Sequence, residues 1–379
     1  MQYQRGMKLN KVRLVSVCLA LSCCAVVLVP TPTRAEQPSA PEFRPHFLQL
    51  CDLASAETKA GPRKDPFFVD SYAVRALCVA YDITGKKEYL DACRAWSERM
   101  VGFQEKMLPH GAYYMHYGRK PGEDKGGWYV ADSSSIAMGV LATAVRCDGA
   151  EKRRFLNSTK AFAALVLDNY LGKSGGVRNG LWPKFDGEWW CSTGIFGSLA
   201  FLLYDETGDK HYLKAALGAV DWLNALDPDK DKMYPLSEMG PTYPMYVLET
   251  YSAGLSHLKQ GSDRRKAALT RISWYLDWTA KQQSTPPRER HWAADVRWGM
   301  KFGGLPFHQY VYSRVLPDGQ ALSAAADREM ESLADIVFTK QPALTQLPMF
   351  MMMSYAERLS PGTIYRTSHR KSPRAAEVP

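Results

Sequence analysis

Tyr81-Asp82-Ile83-Thr84-Gly85-Lys86-Lys87-Glu88-Tyr89-Leu90 returns later in the chain as Tyr204-Asp205-Glu206-Thr207-Gly208-Asp209-Lys210-His211-Tyr212-Leu213. Both copies lie between apolar stretches of helical period. A glycine after the last periodic residue tolerates the left-handed backbone of a helix end, and a second helix can start just beyond it. The repeated unit is therefore a helical hairpin. An isolated hairpin cannot bury its apolar face, so further copies are expected to stack on it.

Looser copies fill the rest of the chain. Segments 136–145 and 155–171 flank Cys147-Asp148-Gly149, 246–258 and 267–280 flank Gln260-Gly261-Ser262-Asp263, and 305–315 and 321–338 flank Pro317-Asp318-Gly319. Helix 344–359 lacks a following partner and helix 43–60 a preceding one, and pairing them would close a ring. The pattern predicts an all-α fold of roughly twelve helices in about six hairpins, an (α/α)6 toroid. An open solenoid is the alternative, with polar faces capping its two ends. Phe350-Met351-Met352-Met353 is apolar on every side and favours full burial.

Residues 1–35 read as a signal peptide. Arg5, Lys8, Lys11 and Arg13 precede an apolar run from Leu14, and Thr33-Arg34-Ala35 offers small residues for cleavage before Glu36. Export to the periplasm or the cell exterior is expected, with lipid attachment at Cys23 or Cys24 as the lesser alternative. No other segment reaches the length of a membrane span. One domain is expected over 36–360, followed by a disordered basic tail over 361–379.

The net charge of +9 is concentrated at the two ends. Five basic residues and no acid lie in the first 35, and four basic residues against one acid follow Leu359. The body between is nearly neutral, which removes the electrostatic footprint of a nucleic-acid binder. Of eight cysteines, five lie beyond the leader without CxxC spacing, so neither a zinc site nor a disulfide framework is indicated. Cys78 and Cys93 flank one turn and either pair across it or pack as small apolar residues. No histidine pair has HxxxH or HExxH spacing, and no metal or other cofactor is expected.

Turns within hairpins are short, whereas the loops between them, about 104–129, 172–191, 227–241 and 284–302, are long. Long ordered loops in a compact domain are commonly functional. They lead into the first helix of each hairpin, so in a ring they gather at one mouth with the positive ends of the helices. They carry Trp128, Trp182, Trp189, Trp190, Trp292 and Trp298, together with His116, Arg178 and Arg297. Aromatic planes beside charged groups suit sugar rings. Tyr243 and Glu249 lie at the start of the helix after the third such loop and complete the expected substrate-binding set.

Two carboxylates occupy matching places. Asp70, in Phe67-Phe68-Val69-Asp70-Ser71-Tyr72, starts one first helix, and Asp132, in Trp128-Tyr129-Val130-Ala131-Asp132-Ser133, starts the next. Glycoside hydrolysis commonly uses such a pair, one group giving a proton and the other handling water. The structural alternative is that each is a helix N-cap.

The hairpins, the Tyr-x-x-Thr-Gly turns and the Asp at the start of two consecutive first helices resemble the six-hairpin glycosidases, particularly unsaturated glucuronyl and rhamnogalacturonyl hydrolases. The resemblance implies that Asp132 is a proton donor and Asp70 its carboxylate partner. Such enzymes protonate the C4=C5 bond of a uronyl residue while water adds at C5. The expected partner is an oligosaccharide or polysaccharide, acidic ones included, bound by a monomer. Three other readings stay open: a polysaccharide lyase on the same ring, an isomerase using His116 and His308, and a non-catalytic carbohydrate-binding protein.

Overall fold

The computed structural model describes residues 43–62, 66–115, 128–180, 187–227, 242–281, 296–339 and 342–369. The leader 1–35 and the end of the tail, 370–379, lie outside them. Within them are twelve α-helices: α1 (Arg44–Ala60), α2 (Phe67–Thr84), α3 (Lys87–Gln104), α4 (Val130–Ala144), α5 (Gly149–Asn169), α6 (Trp190–Thr207), α7 (Lys210–Ala225), α8 (Thr242–Gly254), α9 (Asp263–Lys281), α10 (Val296–Tyr312), α11 (Gly319–Phe338) and α12 (Gln346–Leu359). The described residues contain no strand, only isolated bridges pairing Tyr129 with Gly180, Leu171 with Val177 and Arg178 with Glu188. None of their helices is long and apolar enough to cross a membrane.

The repeated phrase folds the same way twice. Gly85 and Gly208 both adopt φ 72°, and their N–H groups donate to Tyr81 O and Tyr204 O. The threonine before each glycine has its own task. Thr84 Oγ1 donates to Ala80 O at 2.7 Å and accepts from Lys86 N at 3.2 Å, and Thr207 repeats this with Leu203 O and Asp209 N at the same distances. One hydroxyl thus satisfies a loose carbonyl of the ending helix and an N–H at the start of the next.

Helices α2, α4, α6, α8, α10 and α12 pack in succession, each on the next, and α12 packs on α2. The second helix of each hairpin lies against its own first helix: α3 on α2, α5 on α4, α7 on α6, α9 on α8 and α11 on α10. α1 packs on α12, with Phe43 and Phe47 beside the ring of Tyr355 at 5.5 and 6.5 Å. Burial divides the two sets. Every residue of α4 is buried, as is α2 from Phe67 to Ala80 and α12 from Gln346 to Glu357, whereas α3, α5, α7 and α11 bury one stripe only. A helix apolar all round has to be covered all round, and a striped one can face water on its polar side.

Small residues set the approach of the covered helices. A Cβ on Gly194 would stand 2.7 Å from the Tyr246 carbonyl oxygen of α8, and one on Gly303 would stand 2.8 Å from Phe350 Cβ of α12. Close backbone packing at these crossings leaves no room for a side chain.

Residues 361–369 correct an expectation. The sequence places them in a disordered tail, yet they form a short 3-10 turn, Thr363–Tyr365, with Ile364, Tyr365 and Thr367 buried. Arg146 donates to Thr363 O, Arg366 to Asp82 Oδ1 at 2.7 Å, and Ser368 N to Glu206 Oε2 at 2.7 Å. The segment thereby crosses from α12 to the ends of α2, α4 and α6. The basic residues around it masked two apolar side chains that require a core.

Two glycine substitutions should separate conformation from packing. Gly85→Ala places a methyl where no atom lies within 4 Å and strains only the backbone, at about 1–2 kcal/mol. Gly194→Ala drives a methyl into a backbone carbonyl and should cost more, up to about 3 kcal/mol. Urea unfolding of both variants checks the order, and equal losses would refute the close crossing.

Candidate functional site

The covered helices meet around a small cavity of about 20 Å³. Its walls are Tyr72 of α2, Met245 and Glu249 of α8, Gly304, Phe307 and His308 of α10, and Phe350 and Met353 of α12. None of the turn glycines Gly85, Gly208 or Gly261 belongs to the wall. Four elements distant in sequence build the space.

Behind Tyr72 lies Arg75, one helical turn further along α2, with a side chain fully excluded from solvent. Its Nη2 stands 2.6 Å from Glu249 Oε1, whose side chain is only 4% exposed. The guanidinium also lies over the rings of Tyr72 and Tyr365, at 5.8 and 5.5 Å from their centroids. Tyr365 donates to Glu249 Oε1 at 3.4 Å. Burial pulls the guanidinium down, but Glu249, Tyr365 and Tyr72 together outweigh it and hold Arg75 above its ordinary value. The cation therefore persists in an otherwise apolar interior.

The remaining polar groups keep their protons or go without. Burial first, and the Glu249 charge second, push the Tyr72 phenol far up, while a hydrogen bond with Ser135 works the other way. Tyr365 is raised by the same two causes. Ser252 Oγ lies 2.9 Å from Tyr312 OH and 3.3 Å from His308 Nδ1, and Tyr312 donates to Leu248 O. Burial lowers His308 to about 3, against a hydrogen bond with the Met245 backbone. At neutral pH the cavity thus presents a neutral imidazole and protonated phenols beside one ion pair.

The two candidate catalytic carboxylates act on different groups. Asp132 is buried in the first turn of α4, and its charge raises both Tyr72 and Cys191. Asp70 is buried in the first turn of α2, where its charge supports Arg99 of α3 against the lowering effect of burial. Neither is an N-cap residue. Pro66 and Tyr129 hold those positions, so capping from the Ncap position does not explain either acid.

The aromatic and basic candidates divide. Glu249 stands in the cavity wall. Trp128 is fully buried, edge-on to Phe162 and Tyr170 at 6.3 and 5.1 Å, and fastens its loop to α5. Trp190 is buried as the first residue of α6, and Trp189 is the half-buried N-cap before it. Arg178 donates to Asn169 O and covers the Tyr170 ring at 5.5 Å, which places it at the end of α5. His116, Trp182 and Trp292, and the side chains of Tyr243, Arg297 and Trp298, lie outside the described residues.

Arg75, Tyr72, Tyr312 and Tyr365 were not singled out as site residues in the sequence. A signal existed for Arg75, since a lone charge within Tyr72-Ala73-Val74-Arg75-Ala76-Leu77-Cys78-Val79 needs a buried partner, as Glu249 does within Tyr246-Val247-Leu248-Glu249. Comparison of the chain with protein-family models, with curated proteins and with solved structures returns no match.

Two outcomes are expected from this geometry. Arg75→Met leaves the Glu249 carboxylate buried without its cation and should destabilise the fold by about 3–5 kcal/mol, whereas adding Glu249→Leu should recover much of that loss. A double-mutant cycle by urea unfolding measures it, and additive losses would deny the coupling.

The second outcome concerns acid. Between about 3 and 6.5 the unfolded chain binds a proton at His308 that the folded chain excludes. The stability contributed by neutral His308 is complete above that window and is lost as pH falls through it. Relative to His308→Asn, the wild type should lose about 1.4 kcal/mol per pH unit inside the window. Parallel stability curves for the two proteins would contradict the buried neutral imidazole.

Proposed function

We propose that the chain is an exported carbohydrate-active enzyme built as an (α/α)6 toroid of six helical hairpins. It hydrolyses an oligosaccharide containing uronic acid by acid-assisted addition of water. The succession of covered helices that returns from α12 to α2, with α1 packed on α12, supports the ring. The basic and then apolar pattern of residues 1–35 supports export. For the chemistry, the observation that carries the proposal is Asp132. It is a buried carboxylate in the first turn of a covered helix, and Ser135 of that helix hydrogen-bonds the Tyr72 phenol in the cavity wall.

In this mechanism Asp132 gives its proton to C4 of an unsaturated uronyl residue. Water adds at C5 and its proton returns to the carboxylates, which regenerates the acid; the resulting hemiketal then opens, the product rearranges, and the glycosidic bond breaks to release the remaining sugar as an alcohol. Asp70 is the partner carboxylate. Protonated Tyr72 and neutral His308 offer hydrogen bonds to hydroxyls without adding charge, beside the apolar side chains of Phe307 and Phe350. The Arg75 and Glu249 pair keeps Tyr72 in place from behind through its cation over the ring.

Turnover of an unsaturated uronyl disaccharide, followed by decay of its double-bond absorbance, tests the proposal. Asp132→Asn should keep ligand binding and lose about 10²–10⁴-fold in kcat, the usual contribution of a general acid. Normal turnover by the variant would end the assignment of Asp132. Absence of turnover by the wild type across a panel of uronate oligosaccharides, with binding retained, would leave a carbohydrate-binding protein.

A further inference from the structure

The α2–α3 hairpin brings two sulfurs face to face. Cys78 of α2 and Cys93 of α3 lie 15 residues apart in sequence, at nearly equal distances from the turn glycine Gly85, and their sulfurs are 3.6 Å apart. Both side chains are fully buried. In antiparallel helices joined by a tight turn, residues equidistant from the turn stand at one level, so the pairing is set by the hairpin itself.

The two thiols converge on each other within hydrogen-bond distance, and the Cys93 thiol also approaches Val74 O at 3.4 Å. A third helix supplies charge. Arg146, at the end of α4 and 1% exposed, is paired with Asp82 and acts electrostatically on both sulfurs. All five cysteines beyond the leader are free thiols, Cys78 and Cys93 among them.

We propose that Cys78 and Cys93 are a built disulfide site that ties α2 to α3 when the chain meets a disulfide-class oxidant such as oxidised glutathione or an oxidised dithiol protein. A disulfide needs its sulfurs about 2.0 Å apart, so the remaining gap of roughly 1.5 Å closes by rotation of two short side chains. The Cys78 thiolate attacks one sulfur of the oxidant and releases the other as a thiolate. Cys93 gives up its proton and attacks the resulting mixed disulfide at Cys78 Sγ, which releases the second thiolate. One disulfide and two thiols become one disulfide and two thiols. The roles follow from the surroundings: burial resists ionisation of both, but the hydrogen bond from Cys93 and the Arg146 charge bring Cys78 down, while burial leaves Cys93 well up. Because both sulfurs are buried, exchange takes place as the hairpin forms or when α3 opens from α2.

The consequence falls on the helix that carries Asp70, Tyr72 and Arg75, which the bridge would fix to its outer neighbour. The test uses the full chain, unfolded and reduced, then refolded with oxidised glutathione, alkylated and digested with trypsin. Peptides 76–86 and 88–94 should appear joined, lighter by two hydrogens than their sum, and should separate on reduction. The oxidised protein should melt higher than the reduced one by on the order of 5 °C, and Cys93→Ala should remove both the joined peptide and the effect of reductant. Should that variant not fold, the joined peptide in the wild type decides alone. Full alkylation of both peptides after oxidative refolding, or a bridge from Cys93 to Cys51, would overturn the proposal.

Discussion

Complete burial of α4 is the constraint from which the rest of the fold follows. From Val130 to Ala144 no residue of this helix faces water, so partners have to stand on every side of it. α2 and α6 flank it and α5 covers it. The same demand passes to α2, α6 and α12, and each meets it with two covered neighbours and one striped helix outside. Glycines at the crossings permit the backbones to approach closely, and each fully buried aliphatic side chain adds about 1.5–3 kcal/mol. The polar stripes of α3, α5, α7 and α11 remain for solvent.

Three ion pairs carry charge into this interior. Arg75 meets Glu249, Arg146 meets Asp82, and Arg314 meets Glu357. The first pair joins two helices across the molecule and receives Tyr365 from the C-terminal segment, so the cavity, the ion pair and that segment form one connected structure. Breaking such a pair on one side costs far more than replacing both halves, because the cost is that of a stranded charge. The neighbouring phenols and imidazole stay uncharged for the same reason. A site built this way offers directional hydrogen bonds around a small space.

Local features of the fold were legible in the sequence, and lateral ones were not. The Thr-Gly turns, the alternation of short turns with long loops, and the pairing of helices within hairpins all follow from residues close together in the chain. Asp70 and Asp132 could be placed in first turns by the same means. Their directions could not, because a helix buried on every side has no amphipathic stripe to tell which face looks into a cavity. Asp132 bears on Tyr72 while Asp70 bears on Arg99, a difference that only the packing decides. Trp128 and Arg178 show the converse: their side chains fasten a loop to α5, although their composition suggested ligand contact. The partnership of Arg75 with Glu249 depends on two segments that sequence distance cannot connect, and the order of residues 361–369 depends on a core built by helices far upstream.

The crossing of that last segment under the early helices bears on how the chain is made. Arg366 closes on Asp82 over a separation of 284 residues, and Ser368 closes on Glu206 over 162. During synthesis α2 and α4, which the fold buries on every side, emerge early, and the contacts from α12 and the segment beyond it arrive late. Contacts of such long range slow folding, and incompletely covered intermediates expose surface that aggregates. The hairpins can form one by one as they emerge, but α2 gains its neighbour α12 only when nearly the whole chain exists. Until α12 has been made, the face of α2 that it covers stays open.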